Sequence, residues 1–135
     1  MKQLKFILTL ILFVGCSDDD RNFTDELEQI GIVGNWEISS RSINGITPLI
    51  ALCCEFIEFK ADENKEDLSG IYHWSDGQFS DSGIFKIDII NQALILQDEN
   101  DEDVYEFLIS ESGQEFILNY FDNESLISES WIKIN

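Results

Sequence analysis

The stretch DVYEFLISESGQEFILNYF, residues 103–121, contains two runs in which aromatic or branched apolar residues alternate with polar ones. A period of two places successive side chains on opposite faces of a β-strand, so each run is predicted to be a strand with one buried face. Ser112 and Gly113, between the runs, are typical turn residues. Because so short a connection joins antiparallel neighbours, the stretch predicts a β-hairpin.

The same alternation extends over most of the chain, with turn-forming residues between the runs. It predicts eight strands, at 33–41, 54–60, 70–75, 83–90, 93–98, 103–110, 114–121 and 126–134. Only Thr24 to Ile30 is predicted to be helical, because Asp25 can cap a helix and Glu28 follows three residues later. The predicted inward-facing residues are Ile57, Phe59, Phe85, Ile87, Ile89, Tyr105, Phe107, Ile109, Phe116, Leu118 and Tyr120.

Apolar residues also occur on the opposite face of these strands, at Ile84, Ile90, Val104, Leu108 and Ile117. Some of them are expected to cover an end of the domain or to contact a partner.

The N-terminus has the parts of an export signal in the usual order. Lys2 and Lys5 are followed by an apolar run at 6–14 and then by Gly15 and Cys16. The run is shorter than the roughly 20 residues that a membrane-spanning helix needs, although a retained helix is the alternative. Residues 13–16, Phe-Val-Gly-Cys, resemble the bacterial lipobox, which implies that the signal is removed and that Cys16 carries the lipid anchor.

The residues after Cys16 are Ser17, Asp18, Asp19 and Asp20. They resemble the acidic signal that takes lipoproteins through the outer membrane to the cell surface in some Gram-negative bacteria. The resemblance implies an outer membrane lipoprotein that is exposed on the surface. A periplasm-facing lipoprotein with a solvated acidic linker is the alternative.

The chain is strongly acidic, with 27 Asp and Glu against 8 Lys and Arg and a net charge of −19. Loss of the signal removes two of the lysines and makes the mature protein more acidic still. Such a surface repels phosphate backbones and anionic lipid headgroups, which argues against nucleic-acid binding. The main effect of the charge is expected to be solubility, and the alternative is attraction of cations or basic partners.

Cys53 and Cys54 are adjacent in an exported protein, where thiols usually oxidise. Consecutive Cα atoms are about 3.8 Å apart, which is short for a disulfide. Three states stay open at this point: buried free thiols, a strained vicinal bridge, or intermolecular and redox chemistry.

A family resemblance follows from Gly34, Asn35 and Trp36, which come after a short helical segment and begin the first strand. This arrangement is similar to the Gly-X-Trp signature of lipocalins and of bacterial lipocalin-like lipoproteins. Residues 53–62 and 83–87 resemble two further segments of that family. The resemblance implies a small eight-stranded antiparallel up-and-down barrel in which Trp36 closes one end. The expected closing or cavity-lining residues are Trp36, Phe59, Phe85, Tyr105, Phe107, Phe116 and Tyr120.

Catalysis has little support in the sequence. His73 is the only histidine, there is no nucleophile elbow, and no glycine-rich phosphate loop occurs. The acidic segment 98–103 lacks the glycine and spacing of a Ca²⁺ loop and is expected to be a solvated hairpin turn. We therefore expect a protein that is not an enzyme and needs no cofactor or metal.

The expected organisation is a signal peptide at 1–15, a lipidated cysteine with linker and helical turn at 16–29, and a lipocalin-like barrel at 30–135. A lipid anchor in the outer membrane and a small apolar ligand or a protein partner are the expected contacts. A barrel with a solid core that serves as an accessory subunit of an outer-membrane assembly is the alternative.

Overall fold

The computed structural model describes residues 26–49, 52–64 and 67–135. It is an all-β closed barrel of eight antiparallel strands in sequence order, with one short helix, which confirms the predicted fold class. The elements are α1 (Glu26–Ile30), β1 (Gly34–Ile43), β2 (Phe56–Ala61), β3 (Ser69–Ser75), β4 (Ser80–Asp88), β5 (Ala93–Gln97), β6 (Glu102–Ile109), β7 (Glu115–Asp122) and β8 (Ser125–Ile134).

Pairing of β1 with β8 closes the barrel, from Asn35 opposite Ile134 to Ile43 opposite Ile127. The register shifts between Ile38 and Ser40, which is the signature of a β-bulge. Closure leaves no free sheet edge, so the backbone groups along all eight strands can pair.

The barrel has two different ends. The closed end carries α1 and the connections at 62–64, 67–68, 89–92 and 110–114. The open end carries the connection at 44–49 and 52–55 and the turns at 76–79, 98–101 and 123–124.

Three buried apolar residues seal the closed end. Leu27 of α1 is 1% exposed, and Ile32 and Trp36 are fully buried. The indole Nε1 of Trp36 donates a 2.7 Å hydrogen bond to the carbonyl oxygen of Ile32. Gly31 ends the helix with a φ of 87°, a left-handed conformation that glycine adopts without strain.

Packed aromatic rings fill the interior next to the closed end. The ring of Phe116 lies 4.6 Å from that of Trp36 and 5.7 Å from that of Phe107, measured between centroids. Phe59 and Phe85 make a further edge-to-face pair at 4.9 Å. These contacts have the edge-to-face and tilted geometries that aromatic pairs prefer, and the rings belong to one buried cluster, so this half of the barrel is a solid core.

Ile89 does not face inward as the alternation predicts, so that prediction is wrong. The strand β4 ends at Asp88, and Ile89 is 60% exposed in the turn that follows. The carboxylate of Asp88 accepts hydrogen bonds from the backbone and side-chain nitrogens of Asn91, which stabilises the turn at this position. At its other end β4 begins at Ser80, three residues before the predicted start.

Cys53 and Cys54 are free and exposed, at the open end. Of the three states left open by the sequence, this structure thus shows neither buried thiols nor a vicinal bridge. Cys54 has a φ of 75°, and its hydrogen bond with Cys53 raises the pKa of its thiol.

The predicted signal peptide, Cys16 and residues 17–20 lie outside the described residues. Within the described ranges, no helix has the length and apolar character needed to cross a bilayer.

Candidate functional site: a cavity at the open end

A cavity of about 180 Å³ lies inside the barrel toward the open end, above the aromatic core. Strands β1, β2, β3, β5, β6, β7 and β8 and the residue before β2 contribute to its wall. The lining residues are Arg41, Glu55, Ile57, Trp74, Leu96, Tyr105, Leu118, Tyr120, Glu129 and Trp131. Aromatic rings and ionised groups thus share one small space.

A guanidinium group between two carboxylates forms the polar part of the wall. Arg41 donates through Nε to Oε1 of Glu129 at 2.8 Å and through Nη2 to Oε2 of Glu55 at 2.7 Å. Nη2 also lies 2.7 Å from Oε1 of Glu129. Burial lowers the pKa of Arg41, but the hydrogen bond to Glu55 and the charge of Glu129 together raise it above its usual value. The formal charges of these three side chains sum to −1.

Glu129 is the one charged residue that is buried in the described part of the chain, with 5% of its surface exposed. Besides Arg41, the hydroxyl of Tyr120 donates to its Oε1 at 2.9 Å, and the indole of Trp131 donates to its Oε2 at 3.2 Å. Three hydrogen bonds, from Arg41, Tyr120 and Trp131, and the charge of Arg41 therefore compensate the desolvation of this carboxylate.

All three tyrosines of the protein are near this cavity. Tyr105 and Tyr120 line it with their rings 5.2 Å apart and nearly perpendicular, and Tyr72 donates its hydroxyl to Asp81 at 3.1 Å. Burial and the charge of Asp103 raise the pKa of Tyr105 to about 12. Burial also raises the pKa of Tyr72 and of Tyr120, with Asp81 and Glu129 as the respective further causes. The hydroxyls are therefore neutral donors at physiological pH.

The seven residues expected to close or line the barrel divide into two groups. Tyr105 and Tyr120 line the cavity. Trp36 belongs to the closed end. The other four, which belong to the packed core, are Phe59, Phe85, Phe107 and Phe116. The sequence thus placed all seven inside the barrel without distinguishing core from cavity.

Six residues of the cavity were not predicted to face inward: Arg41, Glu55, Trp74, Leu96, Glu129 and Trp131. A signal for Glu129 was present, because Ile127 and Trp131 flank it at a spacing of two and would share its face. The position of Arg41 had no comparable signal. In a regular strand Trp36 and Ile38 would place residue 40 inside, and only the register shift after Ile38 turns Arg41 inward.

A second concave surface lies outside the barrel and includes His73, Glu58 and Ser82. The strand registers place His73 opposite both Glu58 and Ser82. No hydrogen bond joins these three side chains in the described structure.

Metal binding finds no geometric support in the parts of the chain that can be described. They contain no group of three or more His, Cys, Asp or Glu side chains that could hold an ion. In the acidic turn at 98–101 the carboxylate of Asp98 accepts hydrogen bonds from the backbone of Asn100 and Asp101. These bonds lower the pKa of Asp98 and stabilise the turn.

The fold and the cavity define a structural class. Its members are antiparallel eight-stranded barrels with one sealed end, a packed core next to that end, and a small cavity lined by polar and aromatic residues toward the open end. No protein-family model matches the chain, and no curated protein matches its sequence.

Proposed function

We propose that this protein is a lipid-anchored, lipocalin-like binding protein that takes a small ligand into the cavity at its open end and catalyses no reaction. The observation that carries the proposal is the cavity itself, about 180 Å³ in volume and lined by Trp74, Tyr105, Tyr120 and Trp131. Aromatic walls with a few fixed polar groups are the usual composition of a small-molecule site.

The volume limits the size of the ligand. Cavities for drug-sized molecules measure roughly 300–1,000 Å³, so this one suits a small molecule or the head of a larger one. The apolar part of the ligand would contact the aromatic rings, and the packed rings of Phe107 and Phe116 limit how deeply it enters.

The position of the cavity is compatible with a lipid anchor at the opposite end of the barrel. Glu26, the first described residue, belongs to the closed end, so an anchor at Cys16 attaches the protein through that end. The linker reaches at most about 3.5 Å per residue. In this arrangement the closed end is nearer to the outer membrane and the open end is directed away from it, where a ligand or a protein partner can reach it.

Two experiments test the two parts of this proposal. Native mass spectrometry of protein purified from its own membrane is expected to detect a small bound molecule in addition to the lipid anchor. Replacement of Cys16 by Ala is expected to release the protein from the membrane and to abolish labelling by fatty acid. A Cys16→Ala variant that stays membrane-bound, with neither form labelled, contradicts the anchor.

The alternative is a non-catalytic interaction module within an outer-membrane assembly, and an exposed apolar surface favours it. Ile71 and Ile84 are directly opposite each other on the outside of β3 and β4, and they are 44% and 57% exposed. Val104 on β6 is 59% exposed. Replacement of Ile84 and Val104 by Ser distinguishes the two functions, because it should abolish co-purification of a protein partner and leave a ligand in the cavity unaffected.

A further inference from the structure

The cavity offers hydrogen-bond acceptors and π-faces, and several of the donors in its lining are already bonded to its own carboxylates. Arg41 gives its Nε and Nη2 donors to Glu129 and Glu55, and the indole of Trp131 gives its proton to Glu129. Tyr120 likewise donates its hydroxyl proton to Glu129, so its oxygen can only accept a further bond. An anionic ligand would have to displace Glu55 or Glu129 from these donors and would be repelled by their charge.

Negative charge is also in excess at this place. Two carboxylates, Glu55 and Glu129, face one guanidinium in the lining. Arg41 donates a hydrogen bond to Oε2 of Glu55 only. In the described part of the chain, no side chain or backbone group donates a hydrogen bond to Oε1 of Glu55. Near the cavity, Asp81 accepts the hydroxyl of Tyr72, and Asp103 raises the pKa of Tyr105.

The distribution of charge along the barrel axis also favours a positively charged ligand at the open end. The lysines of the described ranges, Lys60, Lys86 and Lys133, lie in the half of the barrel toward the closed end. The connections of both ends are acidic, and these lysines offset part of that charge at the closed end, whereas the turns of the open end carry no lysine beside Asp76, Asp98, Glu99, Asp101 and Glu124. Such a distribution makes the potential most negative at the open end and attracts cations toward it.

From these three observations we propose that the cavity recognises a small organic ammonium group, held against the rings of Trp74, Tyr105, Tyr120 and Trp131 and neutralised by Glu55. This inference rests on the binding function proposed above and names the chemical class of its ligand. Aromatic faces combined with a carboxylate are the arrangement by which proteins bind alkylated ammonium ions, through cation–π attraction and charge. The ammonium group belongs either to a free amine or to a lysine side chain of a peptide.

The test compares ligands of equal shape and different charge on the full-length, lipidated protein in a non-ionic detergent. Choline, its neutral isostere 3,3-dimethylbutanol, and butyrate are titrated into the protein. Binding is followed by tryptophan fluorescence, because Trp74 and Trp131 line the cavity, and by the heat of binding in calorimetry. Choline is expected to bind at least ten times more tightly than the neutral alcohol, and butyrate is expected not to bind. Butylamine and an amidated, acetylated lysine in parallel titrations distinguish the free amine from the side chain.

The outcomes separate the two proposals. If the neutral alcohol or butyrate binds as tightly as choline, the ammonium proposal is wrong and the binding function stands. If none of the five probes binds but the natively purified protein carries a small neutral or anionic molecule, the ammonium proposal is again wrong and the binding function stands. If no probe binds and no molecule co-purifies, both proposals are wrong.

Matched variants connect binding to the cavity. Glu55→Gln removes the excess negative charge while Arg41 keeps its bonds to Glu129, and it is expected to weaken choline binding about tenfold. Tyr105→Leu removes one π-face and is expected to have a similar effect. Glu99→Gln, in an exposed turn of the same end, makes the same change of net charge and should alter the affinity less than twofold. Equal effects of Glu55→Gln and Glu99→Gln contradict a site in the cavity, and circular dichroism verifies that each variant is folded.

Discussion

The ammonium group of Lys133 lies 5.1 Å from the centroid of the Trp36 ring and donates a 2.8 Å hydrogen bond to the carbonyl oxygen of Gly31. One side chain of β8 thereby joins the first strand to the end of α1. The contact covers the ring that seals the closed end and satisfies a carbonyl at the helix terminus.

Replacement of Lys133 by Met should therefore destabilise the protein. Methionine keeps the length of the side chain but loses the cation–π contact and the hydrogen bond, which together contribute about 1–2 kcal/mol. Urea unfolding followed by tryptophan fluorescence measures the change. Lys86→Met, at an exposed position on β4, is the matched control and should change the free energy of unfolding by less than about 0.5 kcal/mol. Equal effects of the two substitutions would show that the contact stabilises nothing.

Gly83 allows two strands and an aromatic ring to approach closely. A Cβ atom at this position would lie 2.0 Å from the backbone oxygen of Gln97 and 2.9 Å from a ring carbon of Tyr72. Gly83→Ala should cost about 3 kcal/mol, because neither a paired strand nor a packed ring can move away cheaply. Ser82→Ala, one residue earlier on the outer face, is expected to be nearly neutral. Chemical denaturation of both variants checks this, and an unchanged midpoint for Gly83→Ala contradicts the close approach.

The fold was predictable because alternation and turn residues are local signals, and eight short strands with short connections leave few topologies. The buried rings of Phe59, Phe85 and Phe116 were predictable for the same reason. The cavity was not, since whether an inward residue meets another ring or an empty space depends on the register of all strands. Arg41 is the clearest case, because its inward position depends on a β-bulge that the residue types in β1 do not predict.

The pairing of Arg41 with Glu129 leads to a third prediction. Arg41→Met leaves the buried carboxylate with only Tyr120 and Trp131 as donors, which should cost about 2–3 kcal/mol. Adding Glu129→Gln removes the uncompensated charge, so the double variant should be more stable than the sum of the single effects by at least about 1 kcal/mol. Urea unfolding of the four proteins measures this coupling energy.

The exposed pair Lys60 and Glu58, 3.0 Å apart on β2, provides the control cycle for that measurement. Solvent screens this pair, so its coupling should be below about 0.5 kcal/mol. If the effects of Arg41→Met and Glu129→Gln are additive, the ion pair does not contribute to the stability of the cavity.

The tyrosines give a prediction for alkaline pH. The pKa of Tyr105 is about 12 in the folded protein against 10.0 as its ordinary value, and those of Tyr72 and Tyr120 are raised as well. Above pH 10 the unfolded chain loses tyrosine protons that the folded protein still holds, so unfolding becomes more favourable as the pH rises. The stability contributed by these shifts is complete below pH 10 and falls between pH 10 and 12.

Absorbance at 295 nm measures this directly, because the protein has three tyrosines and all of them are affected. In the native protein, tyrosinate should form well above pH 10. Its formation should coincide with the loss of the β-structure signal in circular dichroism. In urea the same residues should titrate near pH 10. Ionisation of all three near pH 10 in a protein that is still folded would place their hydroxyls in water and would contradict the hydrogen bonds to Asp81 and Glu129.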